Sequence, residues 1–150
     1  MKYILFFFVA VFSLQLSAED SYDSRPSTPE GQEIQINEKD VQIVNRAAKI
    51  LANKSNWNKN DNRECPPKQK KLSLFCALYK ASVEINGKFD HRLGALEEVR
   101  RTVEEFSKGK PYEHRLMGYN NDTSTTLKDI QKVLKTTEDR LKDHLSNKKK

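Results

Sequence analysis

The chain has 150 residues, of which 32% are charged and 36% hydrophobic, with five Gly, five Pro and two Cys. That is the size and composition of one small globular domain with a modest core, and it leaves no room for a multidomain architecture. Lys and Arg number 27 against 21 acids, a formal charge of +6, so the partners that charge favours are anionic.

The chain opens with a leader. Lys2 supplies a positive head, Tyr3 to Leu16 an apolar run, and Leu16-Ser17-Ala18 a small-residue cleavage site. This pattern predicts a secretory signal peptide over 1–18, cleaved after Ala18, and a periplasmic or extracellular bacterial protein. The run is shorter than the roughly 20 apolar residues a membrane-spanning helix needs and carries Ser13 and Gln15, so no transmembrane anchor is expected after processing. Export also argues against chemistry that depends on ATP or reduced nicotinamides, and it permits disulfides. Loss of Lys2 lowers the charge only from +6 to +5.

Residues 19–36 follow as a polar, acidic spacer. Glu19, Asp20, Asp23, Glu30 and Glu33 face the single base Arg25, Pro26 and Pro29 interrupt the segment, and no apolar period appears. The fold is expected over 37–146, with a basic tail over 147–150. Asn37 caps a first helix, roughly Glu38 to Asn53, on which Val41, Val44, Ala48 and Leu51 recur at helical spacing. Lys54 to Lys71 then forms a long polar connection with Pro66-Pro67, six bases against Asp61 and Glu64, and Trp57 as its one large apolar anchor. A connection of that length needs a tether or a function.

Leu72 to Asn86 is apolar on more than one face, through Leu72, Phe75, Cys76, Tyr79 and Val83 and through Leu74, Leu78 and Ile85, which marks a central helix ended by Gly87. Asp90 is expected to cap a third helix with one buried stripe, Leu93, Leu96, Val99, Val103 and Phe106, ended by Gly109 and Pro111. A second connection, Tyr112 to Thr125, carries Asn120-Asn121-Asp122, which reads as turn and capping chemistry. Thr126 and Asp129 open a fourth helix with Leu127, Ile130, Leu134, Thr137, Leu141 and Leu145 inward. The fold class is therefore all-α, a compact bundle of four main helices with long connections between helices one and two and between three and four.

Few residues point to chemistry. Cys65 and Cys76 are the only cysteines, and in an oxidising compartment the pair predicts a disulfide worth about 2.5 to 3 kcal/mol of chain entropy. A thiol enzyme is disfavoured because no His stands near either Cys in sequence. His91 and Arg92 at the start of helix three, and His114 and Arg115 in the second connection, form two basic pairs that line an anion site if their loops meet. A metal site from His91, His114 and Asp122 lacks close ligand spacing, so neither metal nor cofactor is expected. Asn53 and Asn121 head Asn-x-Ser/Thr triplets, to which no role is assigned.

The segments Ala47-Ala48-Lys49-Ile50-Leu51 with Trp57, Leu74-Phe75-Cys76-Ala77-Leu78-Tyr79-Lys80-Ala81, and Tyr119-Asn120-Asn121-Asp122 leading to Thr125-Thr126 together resemble a bacterial all-helical family of unknown function. The resemblance spans Val41 to Leu141 and implies a small helical domain with no assigned activity. The expected function is thus an exported binding or interaction module, and the alternative is a small enzyme acting on an anionic substrate through His91, Arg92, His114 and Arg115. Its partner is an anionic surface, a glycan or a protein. Nucleic acid is disfavoured, since no aromatic residues interleave with the bases. The acidic spacer is a further candidate, as a shield folded over the Lys54 to Lys71 connection.

Overall fold

The computed structural model describes residues 35–148; the leader, the acidic spacer up to residue 34 and the last two lysines lie outside the described residues, as does the spacer's expected shielding role. Five helices follow in order: α1 Glu38–Ile50, α2 Leu74–Asn86, α3 Gly94–Phe106, α4 Arg115–Asn121 and α5 Leu127–Asn147. Among the described residues there is no strand, only an isolated parallel bridge between Trp57 and Leu72. The all-α class and the four long helices match the periodicity. The addition is α4, a short helix within the connection before Thr126.

Helix α1 packs against α2 and α5, and α5 also packs against α3. The shared core comes from the stripes that the periodicity marks, with Val44, Leu78, Leu96, Val99, Val103, Ile130, Leu134 and Leu141 all excluded from solvent. Helix α2 is buried through Leu74, Phe75, Cys76, Ala77, Leu78, Ala81 and Ser82 and is central, and Gly87 ends it in the left-handed region at φ 76°. It begins two residues later than its apolar pattern suggests. The Leu72 N–H donates to the Asn56 carbonyl at 2.7 Å and the Leu72 carbonyl accepts from Asn58 at 2.9 Å, so Ser73 becomes the cap.

Helix α3 starts later than expected for a different reason. Asp90 accepts from the Arg92 N–H at 2.9 Å in a local turn, which removes it as a cap. The capping carboxylate comes instead from α1: buried Asp40 accepts the Asn37 N–H at 2.9 Å through Oδ2 and the Ala95 N–H at 2.8 Å through Oδ1. One negative charge thus serves the positive ends of two helices. Gly94 makes the approach feasible, because a Cβ there would lie 3.1 Å from Asp40 Oδ2 and 3.2 Å from the Ile36 side chain. Thr126 and Asp129 cap α5 reciprocally, the Thr126 N–H donating to Asp129 Oδ2 at 2.8 Å.

Helix α4 closes the end of the bundle where the two long connections meet. Gly118 allows it to lie on Tyr112, since a Cβ at that position would sit 2.6 Å from the Tyr112 Cβ. The Tyr112 hydroxyl donates to Asp122 at 2.6 Å. That bond, with Lys110 and Ser124, holds the Asp122 carboxyl well below the usual carboxylate range. Asp122 is a structural anchor at the end of α4.

Candidate functional site

The Lys54 to Lys71 connection is long enough to wander, and the sequence supplies two devices that stop it. The first is Asn120 on α4, whose side chain is fully buried. Its Oδ1 accepts from Trp57 Nε1 at 2.9 Å and from the Leu74 N–H at 3.1 Å, and its Nδ2 donates to the carbonyls of Asn58 and Lys59, each at 3.0 Å. Asn121 continues the clasp, accepting the Asp61 N–H at 2.7 Å and donating to the Asp61 carbonyl at 2.8 Å. Lys59 completes it, with Nζ on the Asp122 carbonyl at 2.5 Å and on the Thr125 carbonyl, and burial lowers its pKa. The turn-forming triplet of the sequence is therefore also the receptor for the connection. An amide suits this task because it offers acceptor and donors together on one short side chain.

The second device is the cysteine pair. Cys65 and Cys76 lie at disulfide distance, 2.08 Å between sulfurs and 5.3 Å between Cα atoms, which ties the far end of the connection to the first turn of α2.

Between the clasp and the disulfide stands Arg63. Its backbone is left-handed, φ 63°, a conformation that costs a side-chain-bearing residue about 1 kcal/mol or more. Asp61 Oδ1 supports it by accepting the Arg63 N–H at 2.7 Å. The guanidinium is thereby turned towards the second connection, where Nη1 donates to His114 Nε2 at 3.0 Å.

Arg63 and His114 lie on the rim of a groove of about 700 Å³, the size of an ordinary small-molecule site. Phe75 and Tyr79 of α2 with Phe89 and Met117 give it an apolar floor, and Asn62, Arg63, His91 and His114 give it a polar edge. It runs on into a smaller cleft of about 70 Å³ that also takes in Arg100 and Arg115. The floor is ordered: the Phe75 and Phe89 rings meet edge to face at 5.8 Å, Tyr79 and Phe89 lie tilted at 4.8 Å, and Phe89 and His91 meet edge to face at 4.6 Å. No carboxylate lines the groove.

Of the four residues singled out in the sequence, His91 and His114 share the groove and Arg115 lies in the adjoining cleft. Arg92 lines neither. Nor does an open first turn of α3 assist, since its Ala95 N–H is already given to Asp40. Asp122, the third member of the metal alternative, is tied to Lys110 at 2.9 Å and stands apart from the groove. Among the described residues no cluster of three or more His, Cys, Asp or Glu is arranged to hold a metal ion, and no helix is long and apolar enough to cross a membrane. Sequence reasoning missed Arg63 and the aromatic floor. Arg63's place two residues before Cys65 was the available signal, because a basic residue beside a tethered cysteine is held in position.

His91 is exposed, but partial desolvation of its ring pushes its pKa down, helped by the nearby Arg100 and Arg63 and opposed by Asp90. In a histidine-resolved NMR titration the His91 midpoint falls below the ordinary value of about 6.5. Above that pH the group adds nothing to the pH dependence of stability. As pH falls through it, the unfolded chain takes up the proton first and the native state loses stability, until pH passes the lower folded value. A midpoint at or above 6.5 would contradict this desolvation.

No curated protein and no solved structure matches the chain. A family model does, over residues 36–140, which takes in α1 to α4, most of α5 and every residue of the clasp and the groove. By that match the chain belongs to the family of unknown function DUF6197.

Proposed function

We propose that the protein is an exported binding module that takes a small anionic molecule in the groove between the clasped connection, α2 and the start of α4. The observation that carries this reading is the convergence of Arg63, His91 and His114 on a cavity of about 700 Å³ with no acidic side chain in its lining. A basic lining of that kind concentrates anions, and its open mouth gives them access to Arg63 and His91. Two of the six bases of the connection are accounted for in this way. Lys59 holds α4 and Arg63 edges the groove, while the others face solvent.

The enzyme alternative rests on the same convergence of His91 and His114. Binding is preferred, because the lining holds no serine, threonine or free thiol to act as a nucleophile, and because Arg92 lies elsewhere.

Export enters this reading from the leader and from the cysteine pair. Mass spectrometry of the exported fraction is expected to find a chain beginning at Glu19, and a retained leader would remove export from the proposal. For the groove, titration with acetate or sulfate is expected to shift the ring resonances of His91 and His114 saturably at millimolar concentration, leaving those of Trp57 in place. Shifts that match those of a chloride control at equal ionic strength would overturn the anion site.

A further inference from the structure

The groove also specifies what is attached to the anion. We infer that its ligand is a small aromatic monocarboxylate, with the carboxylate on Arg63 and the ring laid on the floor of Phe75, Tyr79 and Phe89. This inference rests on the anion-binding reading above and adds charge number and body chemistry to it.

The charge number follows from which guanidiniums are already matched. Arg100 donates to Glu97 at 3.0 Å, and Arg115 faces Glu104 at 3.4 Å. Arg63 has no carboxylate within ion-pair distance among the described residues, and its one side-chain hydrogen bond is to a ring nitrogen of His114 at 3.0 Å. Partial desolvation and the two neighbouring guanidiniums lower the pKa of His91. Arg63 is thus the guanidinium of the groove left without a carboxylate, a charge that one carboxylate neutralises and a phosphate dianion overfills. The planar fork of a guanidinium also accepts a carboxylate through two parallel hydrogen bonds.

The body chemistry follows from the floor. Phe75 and His91 lie nearly parallel, 15° apart with centroids 6.4 Å distant, and Phe89 stands on edge to both at 5.8 and 4.6 Å. Three rings in parallel and edge-on orientation, with Tyr79 tilted beside them, offer a ring-shaped guest the offset and edge-to-face contacts that aromatic quadrupoles favour, which an alkyl chain meets only by area. The backbone of Arg63 supports the same assignment. A left-handed arginine is costlier than a glycine at that position, and Arg63 lines the same groove as these rings.

The test uses the full mature chain with four probes, 2-naphthoate, 2-naphthalenemethanol, octanoate and acetate, read by calorimetry and by the His91 and His114 resonances. Naphthoate is expected to bind at least tenfold tighter than each of the other three. In Arg63→Gly its affinity falls at least tenfold while the melting temperature of the free protein holds or rises by a few degrees, because glycine relieves the left-handed backbone. Arg63→Asn, which also tolerates that backbone, serves as the second variant and shows the same loss. Phe89→Ala weakens naphthoate and leaves acetate unchanged. If acetate binds and naphthoate binds no tighter, the aromatic assignment fails and the anion site stands; if neither shifts the histidines, both fail. Octanoate equal to naphthoate would reassign the floor to alkyl chains and overturn the inference, as would full naphthoate affinity in both Arg63 variants.

Discussion

Replacement of Asn120 by alanine is expected to lower stability by about 3 to 4 kcal/mol in urea denaturation, because one truncation strands the Trp57 indole N–H, the Leu74 N–H and the carbonyls of Asn58 and Lys59. Each net hydrogen bond is worth about 1 kcal/mol, and buried groups left unpaired cost more. The gain in helix propensity from Asn to Ala returns only about half a kcal/mol. For a domain whose whole stability is about 5 to 15 kcal/mol, that is a large fraction. Trp57→Phe isolates one of the four partners and costs about 1 to 1.5 kcal/mol. Because both residues belong to one network, the double variant loses less than the sum of the singles. A cost below about 1 kcal/mol for Asn120→Ala would mean that the connection is held by other means.

The second large effect belongs to the cysteines. Removing the cross-link with Cys65→Ser and Cys76→Ala together is expected to cost about 2.5 to 3 kcal/mol, the chain entropy of the 11-residue separation. That corresponds to a fall in melting temperature of roughly 10 °C for a domain of this size. Alanine is the better choice at Cys76, whose side chain is buried, since a serine hydroxyl there would need a partner. The clasp and the disulfide hold opposite ends of the same connection, so the loss of either alone leaves the helical bundle folded and far-ultraviolet circular dichroism nearly unchanged. On the proposed function, anion binding at the groove is expected to respond more steeply than helicity does, because Arg63 lies between the two anchors.

How much of the fold and the groove is legible in the sequence depends on how local the cause is. Helices α1, α2, α3 and α5 announce themselves because burial of one stripe imposes a period that can be counted, as with Leu96, Val99 and Val103. Capping at Asn37 and Thr126 is equally local. The start of α3 is misplaced by sequence reasoning because its cap, Asp40, lies 55 residues away and nothing near Asp90 reveals that an acid on another helix will take the Ala95 N–H. Helix α4 escapes notice because seven residues are too few to show a period, and Gly118 within it argues against a helix until Tyr112 is seen beneath it. His91 and His114 stand out by residue type. Arg63 does not, because its role comes from a backbone angle and from a disulfide two residues away. Phe75 and Tyr79 read as the stripe of a central helix, correctly for the buried Phe75, yet both also line the groove, and Phe89 beside them drew no reading in the sequence.

The clasp also sets an order of assembly. Its bonds join residues 46 to 66 apart in the chain, whereas the helices close over three or four residues. Ring closure over that span carries an entropic cost that helix formation avoids, so the connection docks only after α4 has found α2. The groove is accordingly a late product of folding, and a molecule that occupies it stabilises the clasped state alone, by RT ln(1 + [L]/Kd). Resistance of Lys68, Lys70 and Lys71, all exposed on the connection, to trypsin then reads out occupancy of the groove in a crude preparation, whatever molecule fills it.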